Sequence, residues 1–390
     1  MKILILHNSY KQRGGEDTVV EQEEQLLKSG DHEVKSFRFS NDSISGNIQK
    51  IITFASIQKN HKSVREVINI CEEFKPDVVH IHNFFPLLSP AAHIAAAKSG
   101  AAVVQTLHNF RLLCAGAMFL RDGVVCEDCL GNSRLAAIKN SCYRDSKIAS
   151  AAVVAMQRAT LGSENWLSSV DKFIALTEFG KSKFIQGGLP PTKIAVKPNF
   201  VSSIDPGPPI QDRQGSALFV GRLSSEKGVR RLVEAWKSLP DVPLDIVGSG
   251  PEENWLRENA PPHVSILGAK PRNQVIEKLQ NARLLVFPSI WYEGFPMTIA
   301  EALACGTPIL AANIGAAHEI LNDEKCGALY KSDDSLALIK NAATLLNGDL
   351  QRKSVNARER FEGLYSAETN LKLIEDIYVE AIANRNRMVR

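Results

Sequence analysis

The segment VFPSIWYEGFPMTIAEALACGTPILAA, residues 286–312, decides the predicted fold. A short apolar run ends at Pro288, an irregular loop follows, a stretch with helical spacing ends at Gly306, and a second apolar run begins after Thr307. Short apolar runs bounded by loops are typical of buried strands, and the spacing between these two is that of a helix. We therefore expect a strand, a loop, a helix and a strand here, and an α/β fold for the chain.

The helix predicted within this segment begins beside a potential anion-binding site. Pro296 fits the first helical turn, where its missing N–H costs nothing. The backbone N–H groups left unpaired at this terminus belong to Gly294, Phe295, Met297 and Thr298. Such groups carry positive partial charge, so they can bind a phosphate or a sugar hydroxyl.

Two carboxylates flank this helix end. Glu293 precedes the helix, and Glu301 lies about one turn inside it. A carboxylate repels a phosphate, so both side chains are better suited to accept hydrogen bonds from hydroxyl groups. A nucleotide sugar, with an anionic diphosphate and hydroxyl-bearing ends, would satisfy both features. The alternative is that Glu293 and Glu301 are only solvated charges of a loop and a helix.

The order of these residues resembles a known family signature. Glu293, the Gly-Phe-Pro of 294–296, Glu301 and the string ALACGTP of 302–308 are similar to the signature of the retaining glycosyltransferases of family 4. The resemblance covers nearly the whole chain and is densest over residues 218–312. It implies the B-type glycosyltransferase fold, in which two Rossmann-like domains face a cleft. It also implies transfer of a sugar from a nucleoside-diphosphate donor to an acceptor hydroxyl, with retention at the anomeric carbon.

Length and composition fit a globular protein of two domains. The chain has 390 residues, too many for one ordinary domain. Its composition, 44% hydrophobic and 23% charged, is that of a soluble globular protein. The longest apolar run is too short to cross a bilayer, and the opening MKILILHNSY is predicted to be a strand. We therefore expect a cytoplasmic protein.

The net charge of +3 is too small to indicate nucleic acid as a partner. The excess of positive charge lies in the first half of the chain. That half could meet anionic lipid headgroups or a lipid diphosphate at the inner face of the cell membrane, or the excess could have no consequence. A glycan or lipid-linked sugar acceptor, in surface-polysaccharide or glycolipid assembly, agrees with the first alternative.

The chain begins with a predicted unit of strand, loop, helix and strand. KILILH (2–7) is followed by a turn-like loop containing Gly14 and Gly15, a helix ending at Gly30, and the strand HEVKSFRF (32–39). The glycines lack the G-x-G-x-x-G spacing, which argues against a nicotinamide site. Paired glycines before a helix either let a ligand approach the backbone or form a tight turn. The family resemblance implies contact with the donor phosphates and the acceptor.

Two further predicted strands, PDVVHIHNF (76–84) and AAVVQTLHNF (101–110), each end in a His-Asn pair. The carboxyl ends of strands in doubly wound sheets line the ligand crevice, so His82 and His108 would lie there. A histidine at a strand end can equally be structural. His108 matches the histidine of the family's first domain, which implies contact with the donor sugar, whereas His7 and His82 could line the acceptor side.

Four cysteines follow, at positions 114, 126, 129 and 142. In a compartment where disulfides are rare, the pattern C-x11-C-x2-C-x12-C of Cys114, Cys126, Cys129 and Cys142 predicts a structural, non-catalytic zinc that pins a loop. Simple burial of the thiols is the alternative, because this spacing is not that of a well-known zinc finger.

Residues 141–167 are predicted to form one long helix that carries Arg144, Lys147 and Arg158. Its alanine-rich face would pack inside the domain. Alternatively, its basic edge would meet a membrane-bound acceptor, which would make the protein peripheral to the membrane.

A Pro-, Gly- and Ser-rich stretch at 201–216 is the predicted linker. The N-terminal, acceptor-side Rossmann-like domain is therefore placed at 1–200, and the C-terminal, nucleotide-sugar-binding domain at 205–365. The last helix, at 366–390, is expected to cross back onto the first domain, as in the B-type fold.

The second predicted domain carries two basic residues suited to clamp a diphosphate. Arg222 and Lys227 lie in the loop after the strand ALFV, and they match the phosphate clamp of the family. Basic loop residues are otherwise simply solvated. The turn at Gly248 also lies at the predicted crevice edge, and the segment near Lys270 matches the family's base-binding segment.

The resemblance implies residue roles. The implied catalytic residues are His108, Glu293, Arg222 and Lys227. The implied donor-binding residues are Gly14, Gly15, Arg222, Lys227, Gly248, Lys270, Glu293, Gly294, Phe295, Pro296, Met297 and Glu301. No protein nucleophile is assigned, because the family resembles front-face substitution.

No cofactor is expected for catalysis, since Arg222 and Lys227 can neutralise the leaving group and no Asp-x-Asp motif is placed to hold a metal. Two other classes remain: a sugar epimerase or phosphorylase on the same fold, and a catalytically idle nucleotide-sugar-binding subunit. Presence of both glutamates, both basic residues and His108 argues against the idle subunit.

Overall fold

The computed structural model describes residues 1–9, 14–41, 53–54 and 56–389, and the chain forms two compact units. The first unit comprises Met1–Phe119, Glu127–Asn199 and Asn370–Arg390. The second comprises Leu120–Cys126 and Phe200–Thr369. Residues 10–13, part of the loop predicted after the first strand, lie outside the described residues.

The first unit is built on six parallel strands. They are β1 (Lys2–Ser9), β2 (Glu33–Ser40), β3 (Val78–Ile81), β4 (Ala102–Leu107), β7 (Lys172–Ala175) and β8 (Ile194–Val196). A separate hairpin, β5 (Leu120–Arg121) and β6 (Val124–Val125), interrupts this part of the sequence and belongs to the second unit. The order across the sheet is β2-β1-β3-β4-β7-β8. Every residue of β3 and β4 is buried, as expected of continuous apolar strands covered on both faces.

The helices of this part of the chain are α1 (Gly15–Ser29), α2 (His61–Phe74), α3 (Ala91–Lys98), α4 (Leu135–Lys139), α5 (Lys147–Leu161), α6 (Glu164–Ser169) and α7 (Glu178–Gln186). α1 connects β1 to β2, and its buried residues recur at helical spacing. The sequence pattern of strand, glycine loop, helix and strand is therefore found at the start of the chain.

The single helix predicted over 141–167 is wrong in its bounds. α5 begins at Lys147 because the Ser146 hydroxyl caps it, accepting a hydrogen bond from a first-turn N–H at 3.3 Å. Gly162 follows its last turn, where a β carbon would lie 2.7 Å from a carbonyl oxygen. Arg144 precedes the helix at a φ of 54°, so the predicted basic edge is shorter than the sequence indicated.

The second unit has six parallel strands of its own. They are β9 (Ala217–Val220), β10 (Leu244–Val247), β11 (Val264–Gly268), β12 (Leu284–Phe287), β13 (Ile309–Ala312) and β14 (Gly327–Tyr330), in the order β11-β10-β9-β12-β13-β14. The helices are α8 (Val229–Trp236), α9 (Glu253–Asn259), α10 (Arg272–Asn281), α11 (Met297–Ala304), α12 (Ala317–Ile320), α13 (Ser335–Leu346) and α14 (Leu350–Leu364). α8 buries Val229, Leu232, Val233 and Trp236 in the core.

The final helix, α15 (Ala367–Val389), supplies part of the core of the first unit. Ile374 and Tyr378 are fully buried in a cluster with Ile3 of β1. Near the end of the helix, the Arg385 guanidinium donates to the Asp171 carboxylate at 2.7 Å. The core of the first unit is therefore completed by residues from the last helix of the chain.

Both sheets are parallel throughout and alternate with helices along the chain, which confirms the predicted α/β class. In the described part of the chain, no helix combines the length and the apolar character that a membrane span requires.

Candidate functional site

The second sheet has its topological switch point between β9 and β12. These two strands are neighbours, whereas the strands that follow them in sequence, β10 and β13, lie on opposite sides. Ligands of doubly wound sheets bind beyond the carboxyl ends of the strands at such a point. Here those ends lead into Arg222 and into the segment 288–296. Several residues predicted from the sequence therefore lie at one sheet edge.

Lys227 and Glu293 form the central contact at this edge. Nζ of Lys227 lies 2.6 Å from Oε1 of Glu293, and the Ser289 hydroxyl donates to the same oxygen at 2.6 Å. Their side chains are 20% and 13% exposed, so the pair is largely shielded from water. An ammonium has three N–H donors, so Lys227 can remain on Glu293 and still donate to an anion.

A glycine positions Lys227. The residue ends a short 3-10 turn, Ser225–Lys227, and Gly228 follows at a φ of 72°. A β carbon at Gly228 would lie 2.1 Å from the carbonyl oxygen of Pro288, so only glycine lets the two loops approach this closely. Ile290 N–H also donates to the Glu226 carbonyl at 3.0 Å. The loops after β9 and β12 are thus joined through their backbones.

Two aromatic rings adjoin the Lys227 ammonium. Nζ lies 5.5 Å from the centroid of Trp291 and 5.8 Å from that of Phe287, distances at which an ammonium is attracted to a ring. Sequence reasoning missed Ser289 and Trp291 as partners. Their positions within four residues of Glu293, in the same loop, are the signal that could have identified them.

The helix N-terminus lies where the sequence placed it, with a shift of one residue. α11 begins at Met297, and Pro296 precedes it as the N-cap rather than standing in the first turn. Proline provides no capping side chain, so the first N–H groups of the helix are not capped from that position. Phe295 is 8% exposed and packs on Tyr365, which fixes the chain just after Gly294.

Glu301 is held inside α11 by a partner on the neighbouring helix. Arg272, the first residue of α10, donates through Nε to Oε1 of Glu301 at 3.3 Å. Burial raises the pKa of Glu301, and Arg272 opposes that shift. Arg272 is 46% exposed, whereas Glu301 is 13% exposed. The carboxyl group is therefore partly desolvated and has one further oxygen available to accept a hydroxyl.

The other predicted donor residues of this unit follow β9, β10 and β11. Arg222 is exposed directly after β9, and Lys270 is exposed beyond β11. Gly248 follows β10 at a φ of 149°, where a β carbon would lie 1.8 Å from the Gly221 carbonyl oxygen. Glycine is required there because the turn after β10 touches the end of β9.

The first sheet has its own switch point, between β1 and β3. The Gly14 N–H donates to Oδ2 of Asp17 at 2.9 Å, and Oδ1 of Asp17 lies 2.9 Å from Nε2 of His7. The described end of the glycine loop is thus tied to β1 through one carboxylate. Among the described residues, which exclude the adjacent positions 10–13, a β carbon at Gly15 would meet nothing within 4 Å.

His82 and His108 meet at the ends of β3 and β4. Nδ1 of His82 lies 2.9 Å from Nε2 of His108, and both rings line a cavity of about 30 Å³ together with Asn109 and Arg111. Desolvation lowers the pKa of His82 to about 3 and holds the pKa of His108 well below 6.5. Both rings are therefore neutral at neutral pH.

Sequence reasoning missed a buried carboxylate next to these histidines. Glu23 of α1 lies 3.2 Å from Nδ1 of His80 and 3.2 Å from Nε2 of His82, and its other oxygen lies 2.8 Å from Nζ of Lys197. Val20, three residues earlier on α1, is fully buried, and so is the apolar residue four positions later. That helical register was the available signal that Glu23 faces inward.

None of the four cysteines Cys114, Cys126, Cys129 and Cys142 is part of a disulfide. Within the residues that the structure describes, Glu23, His80 and His82 form a group close enough to share a metal ion, and the four cysteines form no such group. The structural zinc site stays a prediction from the spacing.

Comparison with protein families identifies both parts of the chain. The family described as Glycosyltransferase Family 4 matches residues 13–203, and the family described as Glycosyl transferases group 1 matches residues 202–361. The two matches lie end to end.

Individual relatives match over part of the chain. O-antigen chain mannosyltransferase B of Escherichia coli is 26% identical over 223 residues, covering 49% of this chain and 56% of that protein. Phosphatidyl-myo-inositol mannosyltransferase of Mycobacterium leprae is 33% identical over 146 residues, covering 35% of this chain and 39% of that protein. The chain spans about half the length of the curated relatives it matches.

Solved structures share the fold along nearly the whole chain. Sucrose-phosphate synthase from Thermosynechococcus elongatus has a TM-score of 0.71 at 17% identity, covering 98% of this chain and 100% of that chain. The HepE protein of Anabaena in complex with UDP-glucose has a TM-score of 0.64 at 18% identity, covering 97% and 99%. At such identities the likeness concerns the fold alone, and that fold is the B-type, with two Rossmann-like domains. With its two parts matched by two glycosyltransferase families and its fold shared with these structures, the chain belongs to the group 1, family 4 type of glycosyltransferases.

Proposed function

We propose that this protein transfers a glycosyl group from a nucleoside-diphosphate sugar to an acceptor hydroxyl, with retention at the anomeric carbon. The observation that carries the proposal is the Lys227–Glu293 contact of 2.6 Å at the switch point between β9 and β12. It joins a cation suited to a diphosphate and a carboxylate suited to sugar hydroxyls in one place. Family membership and the UDP-glucose bound by HepE of Anabaena support the same donor class.

In this proposal, the diphosphate binds Arg222, Lys227 and the first N–H groups of α11. Arg222 is exposed and can bind a phosphate through two N–H groups, while Lys227 acts as a point charge. As the sugar leaves, negative charge grows on the diphosphate and meets these fixed positive groups. One such donor can lower the barrier by several kcal/mol.

The carboxylates and glycines take the remaining roles in the proposal. Glu301 accepts the ribose hydroxyls, and Glu293 with the segment 294–297 accepts the transferred sugar. Gly248 and Lys270 flank the nucleotide. Gly14 and Gly15 contact the donor phosphates, and His108 contacts the transferred sugar. The reaction proceeds by front-face substitution without a protein nucleophile. The acceptor oxygen bonds to the anomeric carbon on the side that the diphosphate leaves, the bond from that carbon to the diphosphate oxygen breaks, and the departing diphosphate takes the proton of the acceptor hydroxyl.

We propose further that catalysis requires no metal and that the acceptor is a glycan or a lipid-linked sugar. Arg222 and Lys227 supply the charge that a metal would otherwise bring to the diphosphate. Two relatives, an O-antigen chain mannosyltransferase and a phosphatidyl-myo-inositol mannosyltransferase, support surface-polysaccharide or glycolipid assembly. A cytoplasmic location, with peripheral contact at the membrane through Arg144 and Lys147, belongs to the same proposal.

A thermal-shift screen of UDP-, GDP-, ADP- and dTDP-sugars tests the donor class, because a ligand at one hundred times its dissociation constant adds about 2.7 kcal/mol of stability. Arg222→Ala and Lys227→Ala should abolish both the shift and the release of nucleoside diphosphate. Lys237→Ala, on the exposed side of the second unit, is the matched control and should change neither. A normal shift and normal turnover in both site variants would refute the proposed clamp.

Further measurements test the metal and membrane statements. Turnover should survive exhaustive treatment with EDTA, and loss of turnover that Mg²⁺ restores would contradict metal independence. Binding to vesicles containing anionic phospholipid should weaken in an Arg144→Ala/Lys147→Ala variant. Sedimentation that is insensitive to both lipid charge and these changes would remove the membrane contact from the proposal.

The zinc site of Cys114, Cys126, Cys129 and Cys142 is proposed as structural only. Elemental analysis should find one zinc per chain, with its release exposing thiols to titration. Protein without zinc, whose thiols titrate freely, would end this part of the proposal.

A further inference from the structure

A buried polar cluster connects the middle of α1 to His108. Glu23 is 1% exposed, and one of its oxygens, Oε1, lies 3.2 Å from Nδ1 of His80 and 3.2 Å from Nε2 of His82. On the far side of the His82 ring, Nδ1 lies 2.9 Å from Nε2 of His108. A carboxylate and two imidazoles therefore stand in series, and the last imidazole lines the cavity at the end of β4.

The carboxylate is held ionised at the start of this series. Burial alone would raise the pKa of Glu23, but Lys197, His82 and His80 together hold that pKa well below its usual value. Nζ of Lys197 lies 2.8 Å from Oε2 of Glu23 and 2.9 Å from the side-chain oxygen of Asn370. Glu23 and Lys197 thus form a charge-neutral pair through Oε2. The other oxygen, Oε1, faces His80 and His82.

A negative oxygen at 3.2 Å selects one form of the neutral His82 ring. If the ring proton were on Nδ1, the lone pair of Nε2 would face the carboxylate inside a medium of low dielectric, which is strongly unfavourable. With the proton on Nε2, the positive side of the ring lies nearest the charge instead; this contact acts through charge, because it lacks the geometry of a hydrogen bond. Nδ1 of His82 must then be the acceptor of its 2.9 Å contact, and Nε2 of His108 must be the donor.

The position of the proton on His82 also fixes the position of the proton on the His108 ring. A neutral imidazole carries one ring proton, and in His108 that proton is used at Nε2. Nδ1 of His108 is then a lone pair, which can accept a hydrogen bond and cannot donate one. His80 does not share this task, because Nε2 of His80 is engaged by the Thr106 hydroxyl at 2.7 Å and Nδ1 by the Tyr378 hydroxyl at 2.8 Å.

We propose that Glu23 and His82 are positioning residues that fix His108 as the tautomer protonated at Nε2, so that its Nδ1 accepts a hydrogen bond from a hydroxyl of the transferred sugar. The assignment of the sugar as the ligand of His108 rests on the proposed function. The assignment of the tautomer follows from contacts within the first unit alone. Glu23 and His82 need not touch the substrate. They decide which polar atom His108 offers to it.

A metal ion is the competing explanation of this cluster. Glu23, His80 and His82 each offer one ligand atom, and these atoms lie within 4.8 Å of one another. The neighbouring Lys197 ammonium already balances the carboxylate, so a divalent cation would leave uncompensated positive charge in a fully buried site. The charge balance favours the arrangement without a metal, in which the carboxylate acts on the imidazoles through its charge.

Nitrogen-15 NMR of ring-labelled histidine in the full chain reads the tautomer without any substrate. The resonances of His108 are assigned as those lost in His108→Gln. In the wild-type protein at pH 7 we expect a protonated Nε2 and an unprotonated Nδ1 for His108. The opposite assignment would overturn the proposal from the wild-type spectrum alone, whether or not the protein transfers sugars.

Variants test whether Glu23 sets this preference. Glu23→Gln removes the charge with little change of shape, and the preference of His108 for the Nε2-protonated form should fall at least about tenfold, which corresponds to about 1.4 kcal/mol. His80→Gln is the control, since His80 is equally buried and also contacts Glu23 but not His108. Its spectrum should keep the His108 tautomer. An unchanged tautomer in Glu23→Gln would refute the role of Glu23.

A metal is tested on the same sample. The protein is purified without chelator and then treated with EDTA. This treatment should not shift the nitrogen resonances of His80 and His82, because no metal is bound to them. A stoichiometric metal that does shift both would overturn the tautomer series, because it would take the oxygen of Glu23 on which the series depends.

Discussion

The carboxyl edges of the two sheets use charge in opposite ways. At the first edge, Glu23 and Lys197 are buried and balance each other, and burial keeps His82 and His108 neutral by lowering their pKa. At the second edge, Arg222 is exposed, and Lys227 is shielded only in part by Glu293. The charges of the first edge are therefore paired inside their own unit, whereas the second edge keeps positive charge where an anion can reach it.

The largest effect expected from breaking this contrast is at Lys197. Lys197→Met would leave the Glu23 carboxylate buried without its cation, which should lower the free energy of unfolding of the first unit by about 3–5 kcal/mol. Hydrogen exchange of the β1 amides measures this loss. Exchange rates within a few-fold of the wild-type rates would mean that the carboxylate is solvated or protonated, contrary to the contacts described.

At the second edge, charge should affect turnover more than stability. Glu293→Gln keeps the shape of the side chain but weakens its hold on Lys227, so we expect kcat/KM for the donor to fall by about 10²–10³. The melting temperature should change by a few degrees at most. Glu258→Gln, an exposed glutamate of the same unit, is the control and should retain full kcat/KM.

Glu301→Gln provides the comparison within the second edge. A loss confined to KM would agree with a ground-state contact to the ribose, whereas a loss in kcat equal to that of Glu293→Gln would place Glu301 at the reacting sugar instead.

The sequence predicted those features of the two edges that depend on residues close together in the chain, and it did not predict contacts between distant residues. Arg222 and Lys227 lie in the loop after β9, and Glu293 and Glu301 lie in the loop and the helix after β12. A parallel sheet brings these segments to one edge once the strands are recognised. The contacts of Lys227 with Glu293 and of Arg272 with Glu301 could not be predicted, because each joins residues at least 29 positions apart.

Most contacts of the first edge could not be predicted from the sequence either, because they join residues that are far apart in the chain. Glu23 stands in the run EQEEQ, which is typical of an exposed helix face. Its partners are distant in sequence, since His80 lies in β3 and Lys197 directly follows β8. The spacing of three residues between Glu23 and the apolar Val20 indicates that Glu23 faces inward, but it does not identify the partner of the carboxylate. Arg144 shows the reverse error, since a periodic pattern predicted helix where the chain turns at positive φ.

A smaller effect should come from acid. His93 of the first unit is fully buried, and desolvation lowers its pKa to about 4 while Gln105 accepts its Nε2 hydrogen bond at 2.6 Å. The unfolded chain protonates this ring near pH 6.5, whereas the folded chain does so only near pH 4. Stability should therefore be full above pH 6.5 and fall as the pH drops to 4, by at most about 3 kcal/mol from this residue.

His93→Gln isolates that contribution. Urea unfolding of the wild-type protein and the variant should converge as the pH falls from 7 to 4, because the variant has no proton to bind at this position. His82 and Glu23 act in both proteins and cancel in the difference. A constant difference across this range would mean that His93 titrates normally in the folded state.

The smallest expected effect is at a surface pair of the second unit. Lys237 and Glu234 lie 2.9 Å apart, but their side chains are 43% and 51% exposed. Lys237→Ala should change the free energy of unfolding by less than about 0.5 kcal/mol. Set beside Lys197→Met, it tests whether burial rather than the short distance makes the Glu23–Lys197 pair costly to break.

The completion of the core of the first unit by α15 has a consequence for biosynthesis. Asn370, Tyr378 and Arg385 emerge from the ribosome only after the whole of 200–369, so the nascent first unit waits with Lys197, His80 and Asp171 lacking their final partners. The second unit, continuous from 200 onward apart from a short hairpin, can close first. The first unit therefore cannot reach its final packing until the last helix has been made, although most of its chain is translated first.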